Sequence, residues 1–302
     1  MEINKLKKLL VEFDRTIKFE QDLKKKNWFN IGGKSKVFYK ADNLKELISF
    51  FKKLNNREKI FVLGAGSNTL ITDNLYDGVV IKLGKKFNNM SLLGEDIIIA
   101  GSGVLDKSLS EFAKKNHLSG FEFLSCIPGT IGGGIKMNAG CFKKEFKDIL
   151  LSVQAIDKIG NVITIPSKDI KFEYRKNNLS DDLIFLSASF KGSKSDLKKI
   201  ETEMNKLKVE KEKNQPTKIK TSGSTFKNPI SQTKKKVWEL IKESVPLDTS
   251  YGDACISDKH CNFFVNKGDA TFKDMTDLID FVAKNVLEKT GISLEKEIKI
   301  LE

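Results

Sequence analysis

The stretch TSGSTFKNP, residues 221 to 229, sets a small hydroxyl, Ser224, directly after Gly223 in a polar turn. Phe226, Lys227, Asn228 and Pro229 follow at once. Such a hydroxyl can be a turn residue, a phosphate contact, or an acid that protonates a reacting carbon. A second candidate is Arg175, in FEYR. Of 53 Lys plus Arg, only Arg15, Arg57 and Arg175 are arginine. The planar guanidinium fork of Arg175 suits two-point binding of a carboxylate. A third is the pair Glu295 and Glu297 in LEKEIKI. Two residues apart, they share one face of an extended strand, and spacing does not choose between them. His260, in DKHCNFF, precedes an apolar strand and reads as structural.

Two glycine loops could meet an anion. LGAGSNTLITD, residues 63 to 73, follows an apolar strand. Gly64 and Gly66 let backbone amides turn toward a ligand, and Ser67 and Asn68 add donors. It is not the dinucleotide fingerprint, because Thr69 stands at the third glycine position and no helix opens there. GGKS, residues 32 to 35, is not a P-loop, because Trp28 stands where the upstream glycine is required. An ordinary tight turn fits the first loop as well as a cradle does. The second loop, IPGTIGGGIKMNAG, carries Gly129, Gly132, Gly133, Gly134 and Gly140. Such a run weakens regular structure and makes most sense where backbone lies close to a ligand. Thr130, Asn138 and free amides would then meet a pyrophosphate or a planar ring. Two such loops suggest a long ligand with two phosphates.

The elements that must position these residues follow from apolar periodicity. NKLKKLLVEF reads as an amphipathic helix, KIFVLG and GVVIKL as buried strands, EDIIIAGSG as another, and LDKSLSEFAKKN as a helix. LSVQAID and NVITIP flank KIG as a hairpin, and DLIFLSASF is a further strand. A charged helix runs to Pro216. Beyond it, KKKVWELIKES, HCNFFVN, FKDMTDLIDFVAKNVLEK and EIKIL make a compact α+β unit. The expected division is 1–195, in two lobes split near 85, and 196–302.

Composition narrows the classes. The 302 residues are 39% apolar and 31% charged, as in a soluble globular protein. No apolar run approaches the ~20 residues of a membrane span, and the start shows no signal peptide. Cys126, Cys141, Cys255 and Cys261 form no CxxC pair, and only His117 and His260 could join a metal site. Reduced thiols in the cytoplasm are expected, with no disulfide framework and no metal. The formal charge of +13 invites nucleic acid, but the basic residues are spread out and arginine is scarce, which argues against a groove reader.

The motifs NWFNIGG, LGAGSNTLITD, IPGTIGGGIKMNAG, FEYR, GSTFKNP, SDKHCNFFVN and LEKEIKI occur in this order. The chain resembles the UDP-N-acetylenolpyruvoylglucosamine reductase family from about Asn27 to the C-terminus. The short segment between Arg175 and Ser224 is similar to the type II branch. The resemblance implies an α+β fold: a two-lobed FAD-binding region of the vanillyl-alcohol-oxidase (PCMH) type, then a C-terminal α+β substrate domain. It implies reduction of the enolpyruvyl ether to UDP-N-acetylmuramate for peptidoglycan, with FAD as cofactor and NADPH as hydride donor. Cell-wall biogenesis, cell shape and division follow as the setting, in a cytoplasmic monomer with no nucleic-acid or membrane partner.

Residue by residue, the resemblance implies cofactor contacts at Gly64, Ala65, Gly66, Ser67 and Asn68. It implies more at Ile127, Pro128, Gly129, Thr130, Gly132, Gly133, Asn138, Ala139 and Gly140. Tyr174, Lys227 and Asn228 would contact substrate. In this reaction negative charge develops on the carbon bearing the carboxylate, and that carbon needs a proton. Arg175 would stabilise the charge, Glu297, selected over Glu295 by the family pattern, would assist with a raised pKa, and Ser224 would deliver the proton. Three positions depart from the family pattern: Asn177 in YRKNN, Thr130 in SCIPGT, and Asp253 in YGDACIS. A flavin oxidase or dehydrogenase of the same fold, with flavin tethered through His117 or a cysteine, is the competing enzyme reading. A basic nucleic-acid-binding module is the competing non-enzyme reading.

Overall fold

Apolar stripes with glycine, asparagine and proline punctuation set the element order in the computed structural model, which describes residues 1–302. First come α1 (Ile3–Leu9), β1 (Ile17–Asp22), β2 (Lys34–Ala41), α2 (Leu44–Leu54), β3 (Ile60–Val62), β4 (Thr69–Ile71), β5 (Tyr76–Leu83), β6 (Met90–Leu93) and β7 (Ile97–Gly101). Then follow α3 (Asp106–Lys115), α4 (Ile131–Lys136), β8 (Leu150–Ile156), β9 (Val162–Pro166), β10 (Ile184–Lys191) and α5 (Leu197–Asn214). The chain closes with α6 (Val237–Ser244), β11 (Ser250–Tyr251), β12 (Ala254–Ile256), β13 (Phe264–Asn266), α7 (Phe272–Thr290) and β14 (Lys299–Leu301). No helix is long and apolar enough to cross a membrane.

These elements form two compact units. The first is Met1–Glu20, Lys36–Ala65 and Asp77–Lys211; the second is Gln21–Ser35, Gly66–Tyr76 and Glu212–Glu302. The compact units therefore do not follow a single cut near 195. α5 stays mostly with the first unit, because Leu207 is buried in that unit's core. Two early segments belong to the second unit, because their apolar side chains are needed there.

In the first unit, one sheet has strand order β1-β2-β5-β3 and ends at Leu83. Against it α2 buries Leu47, Phe50, Phe51 and Leu54, in a cluster with Val37, Tyr39, Val79 and Ile81. Tyr39 stacks on Phe50 at 4.1 Å between ring centres. Full burial of side chains this size stabilises by about 1.5–3 kcal/mol each. Asn43 caps α2 by accepting the Glu46 N–H at 3.0 Å, and Asn55 ends it in the left-handed region at φ 49°. A second sheet, order β9-β8-β10-β7-β6, begins at Met90 and is antiparallel throughout. The β8–β9 hairpin pairs Ile156 with Val162, where alternation in the sequence places a turn.

The glycine run of the second loop departs from expectation: it is not irregular, but contains α4. Ile131 and Ile135, one turn apart, are both fully buried and anchor the helix. Asn177 holds its other end, donating to the carbonyls of Ile135 at 2.8 Å and Lys136 at 3.0 Å. Tertiary contacts thereby outweigh the helix-breaking tendency of three glycines.

The second unit is built on a discontinuous core. Phe29, Ile31 and Leu70 pack with Phe226, Ile241, Phe264, Leu278, Ile279, Val282 and Ile298. β14 pairs in parallel with β4, Lys299 opposite Thr69. β11-β12-β13 form a small sheet. α7 begins with a reciprocal cap between Thr271 and Asp274 and ends at Gly291, φ 71°.

Candidate functional site

In the first unit the start of the first glycine loop, at Gly64, neighbours the second at Thr130. A Cβ added at Gly64 would stand 2.6 Å from the Thr130 Oγ1, so only glycine lets the loops approach. Lys82 brings a cation to the same place, its Nζ donating to the Gly64 carbonyl at 3.3 Å. The entry of the second loop is pinned to the turn after β7. Ile131 N–H donates to the Val104 carbonyl and Gly132 N–H to the Ser102 carbonyl, both at 2.9 Å. Asp106 N–H donates to the Gly129 carbonyl at 3.1 Å.

The glycines of this loop have different reasons to be glycine. At Gly134 a Cβ would fall 2.3 Å from the Phe146 ring, and at Gly140 2.2 Å from the Lys144 carbonyl. Those two are demanded by packing. At Gly133 a Cβ would meet only Thr130 Oγ1, at an ordinary 3.6 Å. The fold itself leaves room for a Cβ at Gly133, and a ligand lying on the backbone would account for the absence of one.

Sequence reasoning missed two groups beneath this loop. Ser102 and Asp106, in the GSGVLD turn, are buried, and neither the Ser102 hydroxyl nor the Asp106 carboxyl has a hydrogen-bond partner. Burial pushes the Asp106 carboxyl well above the ordinary carboxylate range, which favours its neutral form. A second GxG turn straight after a strand, with an acid opening the next helix, was the available signal. The cradle, the Lys82 cation and these unpartnered polar atoms suit a polyanionic cofactor such as FAD.

Asn138 is fully buried at φ 40°, and its side chain is occupied by the protein. It donates to Glu145 Oε2 and to the Glu173 carbonyl, each at 3.0 Å, and accepts from Lys147 N–H at 3.1 Å. Its contribution is to the shape of the loop. Arg175 lies in the left-handed region at φ 57°, uncommon for a side chain of this size. It donates to the Gly140 carbonyl at 2.6 Å, lies 3.7 Å from Glu145, and covers the Tyr174 ring at 4.9 Å. The expected carboxylate binder and the end of the second loop are thus in contact.

In the second unit, the serine turn and the C-terminal segment run side by side. Glu297 N–H donates to the Thr225 carbonyl at 2.8 Å and Lys227 N–H to the Glu295 carbonyl at 2.9 Å. Phe226 bridges to Lys296. Ser224 bridges to Phe263 on its other side. Its hydroxyl is half-buried and makes no hydrogen bond within the protein. Gly223, φ 79°, has nothing within 4 Å of an added Cβ, so the space beside Ser224 is open.

The two candidate glutamates differ in exposure. Glu295 is 71% exposed and holds Lys227 at 2.5 Å, whereas Glu297 is half-buried. Glu297 precedes the last strand rather than starting it, since β14 opens at Lys299. Asn68 fixes this stretch, donating to the Glu297 carbonyl at 3.1 Å and accepting from Lys299 N–H at 2.9 Å. Gly66, φ 69°, would place a Cβ 2.3 Å from the Lys26 carbonyl. Asn228 caps α6 by accepting the Val237 N–H at 3.1 Å. His260 packs edge-on against Phe263, and burial lowers its pKa, as suits a structural imidazole.

Two family patterns cover most of the chain. Residues 35–166 match one described as FAD binding domain, and residues 215–301 match UDP-N-acetylenolpyruvoylglucosamine reductase, C-terminal domain. UDP-N-acetylenolpyruvoylglucosamine reductase of Pelagibacter ubique is 64% identical over 302 residues, all of both chains. That of Rickettsia typhi is 45% identical over 93% of this chain and 94% of its own. The crystal structure of the Thermus caldophilus reductase superposes with a TM-score of 0.81 at 30% identity, covering 95% of this chain and 98% of its own. With both patterns in order and identity sustained from end to end, the chain belongs to the UDP-N-acetylenolpyruvoylglucosamine reductase family and is an FAD-dependent oxidoreductase.

Proposed function

We propose that the chain reduces UDP-N-acetylenolpyruvoylglucosamine to UDP-N-acetylmuramate, with NADPH as donor, in the cytoplasm and as a monomer. Bound FAD supplies the two-electron hydride chemistry. The chain's own residues bind, stabilise and protonate. Gly64 to Asn68 and Ile127 to Gly140 hold the cofactor, with the room at Gly133 as the supporting geometry. Arg175 binds the substrate carboxylate with its fork, exchanging the Gly140 carbonyl for a charged partner. Glu297 assists that carboxylate as its negative charge grows. Tyr174, Lys227 and Asn228 line the substrate, Lys227 exchanging its pair with Glu295 for an anionic group.

Ser224 delivers the proton to the carbon beside the carboxylate. The observation that carries this role is the pairing of Thr225 with Glu297, which sets an unpartnered hydroxyl and a half-buried carboxyl on adjacent stretches. A hydroxyl with no protein partner is free to donate to a ligand. The functional division is a cofactor region at 1–195 and a substrate region at 196–302, drawn by role rather than by compactness.

The test is an absorption spectrum of the purified protein, followed by NADPH oxidation with and without the UDP-sugar. A flavin spectrum released on denaturation, and oxidation that depends on the UDP-sugar, are expected. A covalently retained flavin, or oxidation indifferent to the UDP-sugar, would favour a flavin oxidase instead.

A further inference from the structure

Cys126 immediately precedes the second glycine loop, and Cys141 immediately follows it. Both ends are held by local structure. Cys126 closes the 3₁₀ turn Glu122–Cys126, and Cys141 stands in a tight hairpin opposite Lys144. That hairpin turns through Phe142 and Lys143, φ 51° and 64°. The hairpin packs on the turn: Cys141 Sγ donates to the Phe123 carbonyl at 3.3 Å. Cys141 also packs against the apolar cluster in which Cys126 is buried. We infer that Cys126 and Cys141 form a reversible disulfide that closes the base of the cofactor loop, with a peroxide as oxidant.

The surroundings assign the roles. Ser125 Oγ lies 3.7 Å from Cys126 Sγ, and Lys211 Nζ donates to the Cys126 carbonyl at 2.5 Å. Interaction with the Cys141 thiol, then Ser125 and the Lys211 charge, hold the Cys126 thiol down, whereas Cys141 is pushed up. Cys126 is therefore the attacking thiolate and Cys141 the resolving thiol. The Cys126 thiolate attacks one peroxide oxygen, the O–O bond breaks, and water leaves after protonation. Cys141 then loses its proton and attacks the resulting sulfenic sulfur. The S–O bond breaks and a second water leaves. Two thiols have given two electrons to one peroxide. A dithiol reductant reverses the step. Cys255 and Cys261, whose thiols burial pushes up, stay reduced.

The consequence rests on the reading of Ile127 to Gly140 as flavin-holding. Closing a loop of roughly 15 residues removes chain freedom worth a factor on the order of 100. Flavin release needs only part of that freedom and should slow by roughly tenfold.

The experiment treats the flavin-bound protein with one equivalent of hydrogen peroxide, alkylates it, and maps tryptic peptides without reduction. Cleavage after Lys136 separates the two cysteines, so the cross-link appears as joined peptides. Free thiols should fall from four to two, with Cys255 and Cys261 alkylated. Flavin release, followed by fluorescence, should slow, and dithiothreitol should restore it. Cys126→Ser and Cys141→Ser should each abolish both changes. Joined peptides involving Cys255 or Cys261, or overoxidised Cys126 with no joined peptide, would overturn the assignment. A cross-link with unchanged flavin release would overturn its control of the loop. Untreated protein that retains no flavin would instead sink the cofactor reading, while the peptide map still decides the cross-link.

Discussion

Arg175 carries two signals at once, a rare residue type and a left-handed backbone. Only the first was readable in the sequence. Arg175→Lys keeps the charge and loses the fork, so reoxidation of the flavin by the UDP-sugar should slow more than its bleaching by NADPH. Equal slowing of both, measured by stopped flow, would mean a general defect. Asp106 shows what residue types alone hide: the GxG turn and the acid after it in GSGVLD mark the place, but not that the carboxyl is buried without a partner. Its raised pKa has a definite sign in stability. A neutral buried acid favours the folded state most below the ordinary carboxylate range. That contribution is lost as pH rises toward the raised folded value. Asp106→Asn should remove this fall from the urea midpoints of flavin-free protein at pH values above the ordinary carboxylate range. Parallel profiles for the two proteins would contradict a neutral Asp106. The departures at Asn177 and Asp253 find local roles, as a cap on α4 and as acceptor for the Asp269 N–H at 2.7 Å.

Among the elements, those with strong periodicity were legible: the β8–β9 hairpin, α3, α5 and α7 lie where their patterns put them. α4 was not, because its stability comes from the burial of Ile131 and Ile135 and from Asn177, none of which a local pattern reports. The same element separates packing from ligand contact. Gly134→Ala should cost about 1–3 kcal/mol of stability by driving a methyl into Phe146. Gly133→Val should leave the melting temperature of flavin-free protein nearly unchanged and abolish flavin retention. Full flavin occupancy in Gly133→Val would remove the case for a cofactor lying on this backbone. The ladder between the serine turn and the C-terminal segment was likewise invisible, since its partners are some 70 positions apart. Only the motif order hinted that the two act together.

At the scale of the whole molecule, the α+β class and the chemistry were legible, and the compact units were not. A linear sequence suggests a linear cut, but the second unit's core needs Phe29, Ile31 and Leu70, and β14 needs β4. A fragment of residues 212–302 should therefore fail to fold alone and show no cooperative melt by circular dichroism. A sharp two-state transition in that fragment would show that the early segments are dispensable. The central claim, that Ser224 is the acid, is tested most directly by dividing turnover into its two halves. NADPH bleaching of the flavin makes no demand for a proton at the substrate carbon, so Ser224→Ala should leave that rate nearly intact. Return of the flavin absorbance on mixing with the UDP-sugar does need the proton, and a positioned acid contributes ~10²–10⁴-fold. The account predicts a loss of that size in the second half alone, with a smaller loss in Ser224→Cys. Reoxidation of Ser224→Ala at the wild-type rate would contradict it and leave Ser224 as a turn residue.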